Sequence, residues 1–232
     1  MRKKLIIDNR FLDIAEKKWG REYEILPSAT VLGLPQPVCA HPDLSIVAVG
    51  DVFVAEKTAY DYYKKLLPDK KVIPGETTLK SHYPFDIAYN VLISENVAFA
   101  NFQHIDSVVK QELLKRNFQL FDVKQGYANC STTAFCDAVI TADASILAAC
   151  KNANLNALNI LAGDILLDGY DYGFIGGASG FVCGKLLFFG DITKHRDYKK
   201  IKQFIESKGI FIDYIEDFPL TDVGTIIGIV DE

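Results

Sequence analysis

The sequence predicts an α/β fold, a five-bladed pseudosymmetric α/β propeller built from ββαβ repeats. Three observations carry this. Two short apolar runs split by a tight turn recur five times, starting at residues 43, 86, 130, 177 and 222. Each complete copy is followed by a helical stripe and a further apolar run. The last copy stops early, and the parts it lacks stand at the N-terminus. A ring whose last blade is shared by the two chain ends accommodates all three and leaves no exposed edge strand.

The elements follow in chain order. Lys4-Leu5-Ile6-Ile7 reads as a strand, Asp8 or Asn9 caps a helix through Phe11, Ile14 and Ala15, Gly20 stops it, and Tyr23–Leu26 is the next strand. The first full copy runs Asp43–Val49, turns at Gly50-Asp51 into Val52–Val54, and continues into a helix over 56–67 with Ala59, Tyr62, Tyr63 and Leu66 on one face. Its closing strand is Lys71–Pro74. The second copy pairs Asp86–Ile93 with Val97–Phe99. Asp106 caps a helix presenting Val108, Val109 and Leu113, and Phe118–Val123 closes the copy. The third pairs Cys130–Phe135 with Ala138–Ile140. Thr141 or Asp143 caps a helix with Ile146, Leu147 and Cys150, and Ala157–Leu161 follows. The fourth pairs Gly177–Val182 with Leu186–Phe189. Thr193 caps a helix with Ile201, Phe204 and Ile205, Gly209 ends it, and Ile210–Ile215 is the strand. Asp222–Val230 opens the fifth. A doubly wound nucleotide-binding fold would place a Gly-rich loop after the first strand, and Leu5-Ile6-Ile7-Asp8-Asn9 has none. The repeats divide residues 1–232 into one domain.

Composition narrows the function. The 232 residues include 25 Lys and Arg against 30 Asp and Glu, and 49% are hydrophobic. That apolar content excludes a disordered chain. The acidic balance argues against a nucleic-acid partner, and no apolar run is long enough for a membrane span. Met1-Arg2-Lys3-Lys4 precedes only three apolar residues, too few for a signal-peptide core, so a cytoplasmic location is expected. The five cysteines (Cys39, Cys130, Cys136, Cys150, Cys183) then read as thiols. Without C-x-x-C or H-x-x-x-H, no metal site or cofactor is expected. Gly176-Gly177-Ala178-Ser179-Gly180 lacks the Lys-Ser/Thr of a phosphate loop, and its glycines read as a steric need near a crowded axis.

On a ring, equivalent repeat positions face one axis. The five starting positions hold Asp43, Asp86, Cys130, Gly177 and Asp222, so three carboxylates and a thiol are expected at one concavity. A cysteine nucleophile, carboxylates that grip planar nitrogen cations, and a histidine that moves protons suit attack on a guanidinium carbon. Cys130 is the candidate nucleophile and His41, two residues before Asp43, the candidate acid/base, with His82 second. Asp43, Asp86, Asp222 and Asn90 are the candidate substrate-binding residues.

The five-fold ββαβ ring resembles the pentein or guanidine-modifying-enzyme fold, shared by arginine deiminases, dimethylarginine hydrolases, amidinotransferases and a ribosome anti-association factor. The stretches Tyr83–Asp86, Val123–Ser131 and Gly173–Gly177 resemble an uncharacterised bacterial family of that fold. The resemblance implies a small guanidino-type ligand, handled by a Cys-dependent hydrolase or amidinotransferase. As in the anti-association relatives, it also admits a non-catalytic binding protein. In the characterised enzymes the nucleophile lies in the C-terminal repeat, whereas Thr221–Glu232 holds no cysteine here.

Overall fold

The computed structural model describes residues 3–230; Met1-Arg2 and Asp231-Glu232 lie outside the described residues. The strands are β1 (Lys3–Ile7), β2 (Tyr23–Pro27), β3 (Ile46–Val49), β4 (Val52–Ala55), β5 (Lys71–Pro74), β6 (Leu92–Ser94), β7 (Val97–Ala100) and β8 (Gln119–Asp122). They continue as β9 (Thr132–Phe135), β10 (Ala138–Thr141), β11 (Asn156–Asn159), β12 (Ser179–Val182), β13 (Lys185–Phe188), β14 (Phe211–Tyr214) and β15 (Ile227–Ile229). The helices are α1 (Leu12–Trp19), α2 (Pro42–Ser45), α3 (Tyr60–Leu66), α4 (Ser107–Lys115), α5 (Ala144–Asn152) and α6 (Tyr198–Ser207).

This is a mixed α/β fold of five small three-stranded sheets: β3-β4-β5, β6-β7-β8, β9-β10-β11, β12-β13-β14 and β15-β1-β2. In every sheet the middle strand is antiparallel to the first and parallel to the third. The antiparallel pair needs only a short turn, and the parallel pair needs a crossover, which a helix supplies. The last sheet joins both chain ends, with Lys4 opposite Ile229 and Ile6 opposite Ile227.

The middle strands explain the packing. Successive side chains on a strand point to opposite faces, and here both faces are buried. On β4, Val52 and Val54 enter one apolar cluster while Phe53 and Ala55 enter another. β1 (Leu5 and Ile7 against Ile6), β7 (Val97 and Phe99 against Ala98 and Ala100), β10 (Ala138 and Ile140 against Val139) and β13 (Leu186 and Phe188 against Leu187) divide in the same way. Each cluster therefore joins two successive sheets and one helix, and one of them joins the terminal sheet to β3 and β4 through Ile6, Ile46, Phe53 and Ile229. Each fully buried Val, Leu, Ile or Phe is worth about 1.5–3 kcal/mol, so these shared clusters tie neighbouring sheets firmly.

Helix capping follows the sequence in part. Asp106 and Asp143 accept bonds from the first-turn amides of α4 and α5, and Asp8 from Arg10 N ahead of α1. Thr193 is not the cap of α6; Asp191 caps a short 3-10 turn there, and α6 starts five residues later. Tyr62 faces solvent, while Ala59 and Tyr63 of the same segment are buried.

The larger difference lies before each first strand. Asp43 sits in the helical turn α2, and Asp86 and Asn90 sit in turns ahead of β6, where strands were expected. Backbone groups of the segments ahead of the first strands pair across repeats: Asp43 N donates to Gly224 O, Gly177 N to Cys130 O and Thr225 N to Gly177 O. These turns bring segments of different repeats together, so local strand pairing gives way to contacts across repeats. The space is tight, as the glycine run implied. A Cβ on Gly176 would overlap the carbonyl oxygens of Asn129, Cys130 and Thr132. At Gly224, φ is +69°, and a Cβ would strike His41.

Candidate functional site

One hydrogen-bonded cluster draws on all five repeats. Cys130 Sγ donates to Asp43 Oδ2 at 2.8 Å and receives Asn90 Nδ2 at 3.2 Å. The same Asp43 oxygen accepts Asn129 Nδ2 at 3.2 Å and Thr225 Oγ1 at 2.9 Å, and Thr225 Oγ1 also lies 3.1 Å from Gly176 O. Asn90 Oδ1 in turn accepts the backbone amides of Asn129 (2.8 Å) and Cys130 (3.3 Å). Asn90 thus fixes both the main chain and the sulfur of Cys130. Counted back two residues from each first strand, the positions are Leu44, Asn90, Cys130, Gly177 and Thr225. Asp86 and Asp222 fall outside that register.

Cys130 is also part of the wall of a cavity of about 290 Å³, together with His41, Tyr127 and Asp222. Aromatic and aliphatic side chains, among them Tyr170, Tyr172, Phe174 and Leu44, complete the wall. A second cavity, of about 280 Å³, is lined by the first strands of all five sheets and by Asp43, Asn129 and Thr225. The Asp43 carboxylate therefore lies between the two, and the thiol belongs to the first.

The remaining candidates take distinct places. His41 is buried, with Nδ1 3.9 Å from Asp222 Oδ1 and Nε2 4.0 Å from Asp8 Oδ2. Asp222 is held by the amides of Phe174 (2.8 Å) and Gly224 (3.0 Å). Asp86 Oδ2 accepts Tyr127 OH at 2.5 Å, so Asp86 reaches the cavity wall through that ring. His82 is exposed and packs edge-on against Phe85, away from the cavity wall. Cys136 and Cys183 are exposed in hairpin turns, and Cys150 is buried on α5. Among the described residues, no group of three His, Cys, Asp or Glu is placed to hold a metal ion.

Burial dominates the electrostatics. It pushes the Cys130 thiol well above its ordinary range, and the Asp43 charge pushes it further. Burial raises Asp43 to about 6, although bonds from Cys130, Thr225, Asn129 and Asn90 pull it down. Asp222 is raised by burial against the opposing effect of His41. His41 is lowered, since burial outweighs Asp222 and Asp8. The resting cluster is therefore a protonated thiol on a carboxylate beside a neutral imidazole, and among the described residues no hydrogen bond joins His41 to Cys130. Such a site is poised rather than charged; a cation entering beside Cys130 would favour loss of the thiol proton.

Three participants escaped sequence reading: Asn129, Thr225 and Tyr127. Thr225 is itself one of the positions two residues ahead of a first strand, and Asn129 directly precedes another, Cys130, a register that counting back from the strands would have exposed.

The whole arrangement matches a described family over residues 6–227. The chain belongs to the Family of unknown function (DUF6873). No curated protein matches it. Among solved structures it is similar to a Pseudomonas aeruginosa DDAH, a cysteine-to-serine mutant complexed with citrulline, at TM-score 0.56 and 9% identity, covering 93% of this chain and 92% of that one. It is similar to a dimethylarginine dimethylaminohydrolase carrying a 4-chloro-2-hydroxymethylpyridine adduct, at TM-score 0.54, 9% identity and 93% of each chain. It is also similar to the C. jejuni agmatine deiminase, at TM-score 0.55 and 9% identity, covering 98% of this chain and 93% of that one. The fold of this family member is therefore the pentein fold. At 9% identity the likeness is one of fold alone.

Proposed function

We propose that this family member takes a small guanidino-type cation into the 290 Å³ cavity and modifies it, with Cys130 as nucleophile and His41 moving protons. One observation carries the reading: a thiol held by Asp43 and Asn90 shares a cavity wall with a buried histidine, a buried carboxylate and several aromatic rings. Carboxylates and aromatic faces suit a planar cation. Asp222 would receive its nitrogens, and Tyr127, backed by Asp86, would bound it.

The chemistry balances without a cofactor. Cys130 Sγ bonds to the guanidinium carbon as its proton passes to Asp43, whose pKa near 6 suits a transient acceptor. One C–N bond breaks, and the departing amine takes up that proton, which leaves a thiouronium cation on Cys130. Water then adds to the thiouronium carbon while His41 accepts a water proton. The C–S bond breaks as the proton of the added hydroxyl passes to sulfur, which returns the thiol and a ureido product, and His41 gives its proton to solvent. In amidino transfer an amine replaces the water.

In this reading residues 1–232 form one domain and the five sheets are blades of a closed ring. Support comes from the apolar cluster shared by the terminal and first sheets and from the cavity lined by all five first strands.

A specific observation favours a second reading. The thiol is pushed up, and among the described residues no imidazole is bonded to it, which suits a binding protein that holds a cation without turnover. Mass spectrometry decides between the two. Incubation with a panel of guanidino compounds, then acid quenching, should yield an adduct on the Cys130 peptide and a ureido product; Cys130→Ser should abolish both. Thermal stabilisation by the compounds without adduct or product selects the binding reading. No stabilisation and no product by any of them sinks the guanidino ligand altogether.

A further inference from the structure

A connection of 19 residues, 160–178, joins β11 to β12. Its first part, residues 160–174, reads Ile-Leu-Ala-Gly-Asp-Ile-Leu-Leu-Asp-Gly-Tyr-Asp-Tyr-Gly-Phe: three aspartates, three aromatic residues and no Lys or Arg. Leu167, Tyr170, Asp171, Tyr172 and Phe174 of this segment all line the candidate cavity. We propose that the 160–174 loop makes the site selective for guanidino compounds whose tail carries no carboxylate, with Asp171 as the residue that rejects the anion; this rests on the guanidino reading above.

The loop is a built wall. Leu166 N donates to Leu220 O and Asp222 N to Leu166 O, both at 2.8 Å. Gly173 N donates to Ile165 O at 2.7 Å, and Phe174 N donates to the Asp222 carboxylate at 2.8 Å. The loop is thus clasped at both ends of its cavity-facing stretch, one clasp being Asp222 itself.

The charge on that wall has one sign. Among the described residues, no Lys or Arg lines the cavity, while Asp171 and Asp222 do. Arg10, on the side of the cavity that Val38 approaches, is committed to Asp8 and to the carbonyls of Gln36 (2.8 Å) and Pro37 (2.7 Å). Asp164 is committed to Arg196, whereas Asp171 is exposed at the rim. A carboxylate tail would lose water, find no cation and face a like charge. An uncharged or cationic tail would meet Tyr170, Tyr172 and Phe174 instead, surfaces that suit both.

Arginine and arginine amide isolate the point, because they differ only at the carboxylate. Calorimetric titration of the native chain should give the amide an affinity at least about tenfold above arginine, the size expected of one repelled and unpaired charge. Asp171→Lys should shrink that ratio below about threefold by binding arginine better, and Asp171→Asn should fall between. Equal binding of arginine and its amide by the native chain overturns the selectivity and leaves the guanidino reading standing. A tenfold preference that Asp171→Lys leaves unchanged overturns the assignment to the loop. Failure of arginine, its amide and butylguanidine all to bind removes the guanidino reading and this inference with it.

Discussion

His41 and His195 have similar immediate surroundings. Both are buried, both lie about 4 Å from a carboxylate, and in both Nε2 has no hydrogen-bond partner among the described residues. Burial lowers both pKa values against the pull of nearby aspartates. They differ in what borders them. His41 faces the cavity that holds Cys130, and its ring is wedged against Gly224, where no larger residue fits. His195 lines neither of the two cavities described above. Its Nδ1 accepts Asp197 N at 3.0 Å, and the Asp197 carboxylate accepts Leu161 N at 2.7 Å, at the start of the 160–174 loop. A perturbed, carboxylate-flanked histidine is thus not by itself a sign of chemistry; an adjoining cavity with a thiol in its wall is what separates the two.

The largest expected effect breaks the pair apart. His41→Gln should cut turnover of a guanidino substrate by about 10²–10⁴, the usual worth of a general acid/base, while His195→Gln leaves the rate unchanged. Steady-state kinetics on both variants, with circular dichroism to verify folding, checks this. Equal losses would mean that both histidines act through the fold.

The next effect concerns the carboxylate beneath the thiol. Asp43 titrates near 6 in the fold against 3.8 unfolded, so the folded state holds the extra proton between those values. Stability from this group is therefore full below pH 3.8 and is lost as pH rises through 6, by about 3 kcal/mol. Asp43→Asn should be more stable than the native chain at pH 7.5, by up to that amount, with the gain gone at pH 4. Urea unfolding at the two pH values measures it. A destabilised variant at pH 7.5 would show that the bonds from Thr225 and Asn129 outweigh burial.

The smallest effect belongs to His195. Losing its bond to Asp197 N in a buried setting should cost about 1–2 kcal/mol. Because its folded pKa is depressed, the unfolded chain takes up the proton first, and stability falls as pH drops below 6.5. His195→Gln should flatten that acid slope in part, and His41→Gln the rest. Denaturation midpoints between pH 5 and 7.5 report both.

The sequence was most legible away from the site. Lys71–Pro74 was placed to the residue, and the Asp106 and Asp143 caps were readable, because helices and strands there answer to local periodicity and capping. The turns before the first strands were not. Asp43, Asp86 and Asn90 look like strand residues locally, but their conformation is set by partners some 40–180 residues away, such as Thr225 for Asp43 and Cys130 for Asn90. Counting repeats from the aspartates put Asp86 in line with Cys130; counting from the strands puts Asn90 there. The thiol, the Asp43 carboxylate and the Asn90 amide were visible as candidates, while the Asn129 amide and the Thr225 hydroxyl were not, because Asn129 and Thr225 have no local pattern of their own.

Four first-and-middle strand pairs are joined by two-residue turns, at 50–51, 95–96, 136–137 and 183–184. The fifth pair, β15 with β1, is the same hairpin with the chain cut at its turn. Closing it tethers residues more than 200 positions apart, which costs about 3–4 kcal/mol more chain entropy than closing a local hairpin. The position of the cut is thus interchangeable with four others. A circular permutant that links residue 230 to residue 3 by a two-residue turn and opens at 50–51 would keep every sheet and move the entropic cost to the pairing of β3 with β4. Covalent order and spatial order are separable in this fold, and the place of Cys130 in the chain says little about its place in space.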